Sequence, residues 1–205
     1  MKTLFTILLV SYFLQGCSDP SQNLSPVPND GIILAFGDSL TVGVGVNSEY
    51  SYPTILSKLS GLKVINGGVS GETTTVGLKR FEGWIIEKKP SLIVLLEGGN
   101  DILRKQDLAK TKQNLKSMVL LAEKHHVQIV LIGVPERLSF SSSAPMYEEI
   151  SDEFNLVFEE EIISHLMYRA SYKSDMVHFN RAGYQKLAQT IYELLVENGA
   201  LADLD

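Results

Sequence analysis

A single three-layer α/β domain on about five parallel strands is the fold this sequence predicts, and three observations predict it. Short, continuously apolar runs recur from Ile32 onward, and such runs fit strands buried on both faces of a parallel sheet. Stretches with apolar residues at helical spacing lie between them, and alternating strands and helices make βαβ units. Polar, glycine-rich tails follow three of the strands, at the sheet edge where ligands bind in this class. The chain has 205 residues, 44% of them hydrophobic and 20% charged. That suffices for one domain with a substantial core. The sequence shows no internal repeat and no second domain.

The elements follow in order. Ile32 to Phe36 (IILAF) is the first strand. A short helix over Pro53 to Leu59 precedes a weaker second strand, Leu62 to Asn66. Thr74 to Glu87 reads as a helix carrying Val76, Phe81 and Trp84, and Leu92 to Leu96 is the third strand. Leu108 to His125 places Leu115, Val119 and Ala122 on one helical face, with Asp107 as the expected N-cap. Ile129 to Ile132 is the fourth strand, Met146 to Phe154 a helix, and Leu156 to Phe158 a short fifth strand. Arg181 to Asn198 is the last helix, capped by Asn180 and stopped by Gly199.

Composition excludes several functions. A formal charge of −6 argues against nucleic acid and against attraction to anionic lipid. The one cysteine, Cys17, rules out an intramolecular disulfide. His125-His126 lacks zinc spacing and suits a helix C-terminus instead. Gly43 and Gly45 are not followed by the Lys-Ser/Thr of a phosphate loop. No metal, organic cofactor or nucleotide is expected.

The N-terminus reads as an address. One lysine, Lys2, precedes an 11-residue apolar run, LFTILLVSYFL. About 20 residues would be needed to span a membrane, so the layout is that of a signal peptide over residues 1–16. Leu14-Gln15-Gly16-Cys17 resembles a bacterial lipobox, which implies lipid attachment at Cys17. Ser18 after the cysteine implies an outer-membrane lipoprotein facing the periplasm. Ordinary cleavage, leaving a free periplasmic or secreted enzyme, is the alternative. Residues 17–30, rich in Ser, Pro, Asn and Asp after the cysteine, read as a tether, with the domain over 31–205.

Four motifs carry the chemistry. They are Gly37-Asp38-Ser39-Leu40, Gly71 within Gly68-Val69-Ser70-Gly71-Glu72-Thr73, Gly98-Gly99-Asn100-Asp101, and Asp175-Met176-Val177-His178. In type, order and spread they resemble blocks I, II, III and V of the GDSL esterases, the SGNH hydrolase family. The longer strings Ser70 to Thr74 and Leu96 to Arg104 look most like the periplasmic thioesterase/lysophospholipase/arylesterase subgroup. Gly37-Asp38-Ser39-Leu40-Thr41 is not the Gly-x-Ser-x-Gly elbow of α/β-hydrolases. Where many relatives have Gly-Ile-His-Pro, this chain has Met176-Val177-His178-Phe179.

The resemblance implies a flavodoxin-like domain, Ser39 as nucleophile, His178 as base and Asp175 as its partner. It also implies an oxyanion hole from the Ser39 and Gly71 backbone N–H groups and the Asn100 side chain. The residue types suit those roles. A serine hydroxyl needs a base, imidazole serves at neutral pH, and a nearby carboxylate can fix its tautomer. Asp38 and Asp101 are expected to be structural, and Glu72 and Glu97 to be surface or loop carboxylates. The implied activity is hydrolysis of carboxylic esters or thioesters, with lysophospholipids, aryl esters and acyl thioesters as substrates, by a monomer. The stretch from Tyr147 to Arg169 is expected to shape the substrate pocket. A carbohydrate O-acetylesterase and a non-catalytic lipid-anchored binding protein are the rival readings.

Overall fold

The computed structural model describes residues 24–136 and 142–202. The expected signal segment, residues 1–16, and Cys17 lie outside the described residues. Five strands form one sheet in the order β2-β1-β3-β4-β5: β1 Ile32–Gly37, β2 Lys63–Gly68, β3 Leu92–Leu96, β4 Gln128–Ile132 and β5 Val157–Glu159. Every neighbouring pair is parallel. The central strands are apolar and shielded on both faces: Ile33 to Phe36, Leu92 to Leu95 and Val130 to Ile132 are fully buried. That explains why these strands are continuous in sequence rather than alternating.

Eight helices accompany the sheet among the described residues: α1 Ser39–Val42, α2 Tyr52–Ser60, α3 Thr74–Lys88, α4 Gly99–Leu103, α5 Leu108–Lys124, α6 Pro145–Phe154, α7 Ile162–Tyr168 and α8 Arg181–Glu197. α8 contacts α2 and α7, and α5 contacts α3 and α6, so two helical groups sandwich the sheet. The expected caps are present. Asp107 accepts from the Ala109 N–H at 2.9 Å and Asn180 from the Gly183 N–H at 3.1 Å. None of these helices is long and apolar enough to cross a membrane.

Two features differ from the sequence reading. Short helices α1, α4 and α7 were not expected, because four to seven residues show too little periodicity to register. The tether, expected to run through Asp30, gives way to packed chain earlier. The Leu24 N–H donates to the Asn198 carbonyl and the Val27 N–H to the Ala200 carbonyl, both at 2.8 Å. Ser25 and Gln128 exchange two further bonds, and Val27 is buried. These contacts sit at the edge where the strands begin.

The chain runs from β1 outward to β2, then returns to place β3 on the other side of β1. The strand order therefore reverses between β1 and β3. In open parallel sheets that switch point opens a crevice at the carboxyl ends of the strands.

Candidate active site

The tails of β1 and β3 meet at this crevice. Asp38 follows β1 and caps α1, its Oδ1 accepting from the Leu40 N–H at 3.0 Å. That cap starts a helical turn with Ser39 as its first residue, so the serine is fixed directly above the strand end. Across the switch point, Asn100 lies in the first turn of α4 and donates from Nδ2 to Asp38 Oδ2 at 3.0 Å.

The third contribution comes from the loop between α7 and α8. Asp175 Oδ1 accepts from the backbone N–H groups of Val177 and His178, each at 2.8 Å. Its Oδ2 lies 2.7 Å from His178 Nδ1, and His178 Nε2 lies 3.0 Å from Ser39 Oγ. A carboxylate only accepts, so Nδ1 carries the imidazole proton and Nε2 is left to accept from the serine hydroxyl. The three residues singled out in the sequence thus form one hydrogen-bonded chain. Asp175 is held down to a pKa of about 2, first by the Val177 N–H, then by the His178 ring and backbone. It stays ionised wherever imidazole can accept a proton.

Surrounding residues fix the loop. Asn180 Nδ2 donates to the Ser171 carbonyl at 2.8 Å, and the Ser174 N–H donates to the His178 carbonyl at 2.9 Å. Phe179 is fully buried edge-on to Tyr184, with ring centroids 5.6 Å apart, so it belongs to the core. Gly45, at φ +100, lets the chain pass beneath; a Cβ there would stand 2.2 Å from Ser174 Oγ. Gly71 lies in the loop after β2 at φ +76, a conformation that side-chain-bearing residues avoid. Its carbonyl accepts from Arg104 Nη2 at 2.9 Å.

Beside Ser39 an apolar cavity encloses about 510 Å³, its open mouth included. Asn100, Ile102, Leu103, Val134 and Met167 line it. Met167 falls inside the stretch expected to shape the pocket. Tyr147, at the other end of that stretch, is instead a buried strut, donating to the Glu97 carbonyl at 2.7 Å.

Glu72 and Glu97, expected as surface or loop carboxylates, both lie in loops that follow strands, but they are buried, at 4% and 1% exposed, and not at the surface. Glu72 pairs with Arg80, which also donates to the Gly67 carbonyl at 2.9 Å and stacks 3.9 Å from the Phe36 ring centroid. Glu97 Oε1 and Oε2 are buried without a hydrogen-bond partner among the described residues. Glu97 directly continues the apolar run of β3, which was the available signal for its burial. Glu72 gave none, because its partner is eight residues away on another element.

Burial, then the nearby carboxylates of Asp38, Glu72 and Asp101, push the Glu97 pKa well above the usual range. The folded state therefore holds a proton that the unfolded chain releases near pH 4.3, and wild-type stability falls as pH rises above that value. Glu97→Gln, which cannot ionise, is expected to gain in melting temperature relative to wild type as pH rises from 5 to 8. A constant difference across that range would show that Glu97 does not carry the proton.

Asp101 was expected to be structural and is placed so. It accepts from the Thr74 N–H at 2.9 Å and the Thr74 hydroxyl at 2.7 Å, tying α4 to the start of α3. His125 caps α5, with its Nε2 2.9 Å from Glu82. Among the described residues, no cluster of three or more His, Cys, Asp or Glu is arranged to hold a metal.

Comparison with known proteins places this geometry in context. Residues 35–186 match the model of the GDSL-like lipase/acylhydrolase family. An esterase, TesA of Pseudomonas aeruginosa, is 33% identical over 107 residues, covering 50% of this chain and 53% of that protein. The chain thus spans about half the length of that relative. Thioesterase 1/protease 1/lysophospholipase L1 of Escherichia coli K12 is 27% identical over 160 residues, 73% of this chain and 76% of that one. Among solved structures, the SGNH-hydrolase family esterase AlinE4 superposes with a TM-score of 0.64 at 26% identity, covering 82% of this chain and 96% of that one. The five-stranded α/β architecture is the one these hydrolases share.

Proposed function

The chain belongs to the GDSL-like lipase/acylhydrolase family, and from that premise we propose that it is a serine esterase acting through an acyl-enzyme on Ser39. The observation that carries this reading is the chain Ser39–His178–Asp175 at the mouth of an apolar cavity. Ser39 Oγ attacks the ester or thioester carbonyl while His178 Nε2 takes its proton. The tetrahedral oxyanion is met by the backbone N–H groups of Ser39 and Gly71 and by Asn100. His178 returns the proton to the leaving alcohol or thiol, whose departure leaves the acyl group on Ser39. Water, deprotonated by the same imidazole, then adds to the acyl carbonyl, and the proton passes from His178 to Ser39 Oγ as the acid leaves. Asp175 keeps the ring in the required tautomer and balances the imidazolium charge. No metal or organic cofactor enters any step.

The cavity supports substrates with an apolar acyl chain, lysophospholipids, aryl esters and acyl thioesters among them. Lipidation of Cys17, after removal of residues 1–16, would hold the enzyme at the cell envelope, with the outer membrane facing the periplasm as its place. The test is kcat/KM on p-nitrophenyl esters from acetate to palmitate, using protein that begins after Cys17. A maximum at medium or long chains is expected. Activity confined to acetate would move the reading to a carbohydrate O-acetylesterase, and no turnover on any chain would favour a binding protein.

The cavity makes a further prediction. Leu103 lies at its rim and is 54% exposed, so enlarging it does not overpack the core. Leu103→Trp is expected to lower kcat/KM for decanoate about tenfold while leaving acetate within about twofold. An equal change on both esters would mean that acyl chains do not pass Leu103.

A further inference from the structure

Asp38 lies beside the nucleophile, yet the reaction as described leaves it without a role. Its two oxygens do different work. Oδ1 accepts from the Leu40 N–H and caps α1, while Oδ2 accepts from Asn100 Nδ2, both at 3.0 Å. Asparagine caps helices about as well as aspartate, so capping alone gives no reason for a carboxylate here.

A carboxylate is also unfavourable at this place. Asp38 is 5% exposed, and Asp101 on α4 brings like charge towards it, opposed by His178 from the loop before α8. Burial raises its pKa to about 6. A buried charge that the cap does not require points to a use for Oδ2.

That use is visible in the chemistry of Asn100. A side-chain amide has a donating and an accepting end, and a half-turn exchanges them. Facing Asp38, only the NH₂ end is favourable, because the carbonyl end would set two acceptors against each other. With one N–H held by Asp38, the second is left for the oxyanion. Gly99 keeps this approach open: a Cβ there would lie 3.1 Å from Asp38 Oδ2. We infer that Asp38 is a positioning residue, whose carboxylate selects the amide orientation in which Asn100 can donate to the reacting oxygen. This rests on the esterase reading above.

The substitution Asp38→Asn separates the two roles. Its carbonyl oxygen can still cap Leu40, and its NH₂ group then faces the NH₂ of Asn100, donor against donor. Losing one oxyanion donor lowers kcat by roughly 10²- to 10³-fold. Asp38→Asn is therefore expected to lower kcat about 100-fold, with KM within about threefold of wild type. Asn100→Ala should lose at least as much, and the double variant should be no slower than Asn100→Ala alone, since Asp38 acts through Asn100. Melting temperatures are read alongside; if Asp38→Asn does not fold, Asp38→Ser, which keeps a capping oxygen but cannot reach Asn100, replaces it with the same expectation. The inference is overturned if the folded variant keeps more than a third of wild-type kcat, or if the losses in the double variant multiply. Should Ser39→Ala retain wild-type activity, the esterase reading itself fails, an outcome separate from both.

Discussion

Ser39→Ala is expected to lower kcat by roughly 10⁴- to 10⁶-fold while leaving the fold intact. The serine is the first residue of a short helix whose cap belongs to Asp38, so an alanine methyl removes Oγ without removing a structural bond. His178→Ala should lose about as much, because a hydroxyl without its base is a weak nucleophile. The double variant should be hardly worse than either single one, since the two residues act as one unit. Asp175→Asn is expected to keep more activity than either. Its side chain is 51% exposed, so water screens part of the charge it supplies to the imidazolium. The measurement is steady-state kinetics on one p-nitrophenyl ester, with fluorophosphonate labelling as a second reading of Ser39. Undiminished turnover by Ser39→Ala would assign the chemistry to another residue.

The largest effect on stability is expected at Arg80. Its guanidinium meets Glu72, the Gly67 carbonyl and the Phe36 ring, beneath the tails of β1 and β2. Arg80→Met preserves much of the stem's packing but leaves Glu72 buried and unpaired. Breaking a buried pair from one side costs about 3–5 kcal/mol. At about 2–4 °C per kcal/mol for a domain of this size, the melting temperature should fall by about 6–20 °C. Arg80→Met with Glu72→Gln should recover part of that loss, because no uncompensated charge is left behind. Thermal unfolding at pH 7 checks both. If the double variant is less stable than Arg80→Met alone, the pair does not act through charge.

The centre of the sheet was legible because β1, β3 and β4 each carry a continuous apolar run, a signal that needs no partner to be read. Helices α3, α5 and α8 were legible because 15 to 17 residues repeat their pattern several times. α1, α4 and α7 were not, since a turn or two of helix is decided by caps and neighbours rather than by period. Ser39, Gly71, Asn100, Asp175 and His178 stood out as short local motifs. Their roles remain a proposal, but the structure brings Ser39 within 3.0 Å of a residue 139 positions away.

The sequence by itself determined the layered α/β class, the order of the strands along the chain and the residue types gathered at their ends. These are properties of local hydrophobic pattern and local turn chemistry. Only the tertiary structure decided which strand tails meet, which carboxylates are buried and which residues wall the cavity. Glu72 and Glu97 have the same side chain as the exposed Glu87, and only their place in the folded chain removes their water. Burial, pairing and pocket shape depend on residues distant in sequence, so the physics that sets them does not exist until the chain has folded.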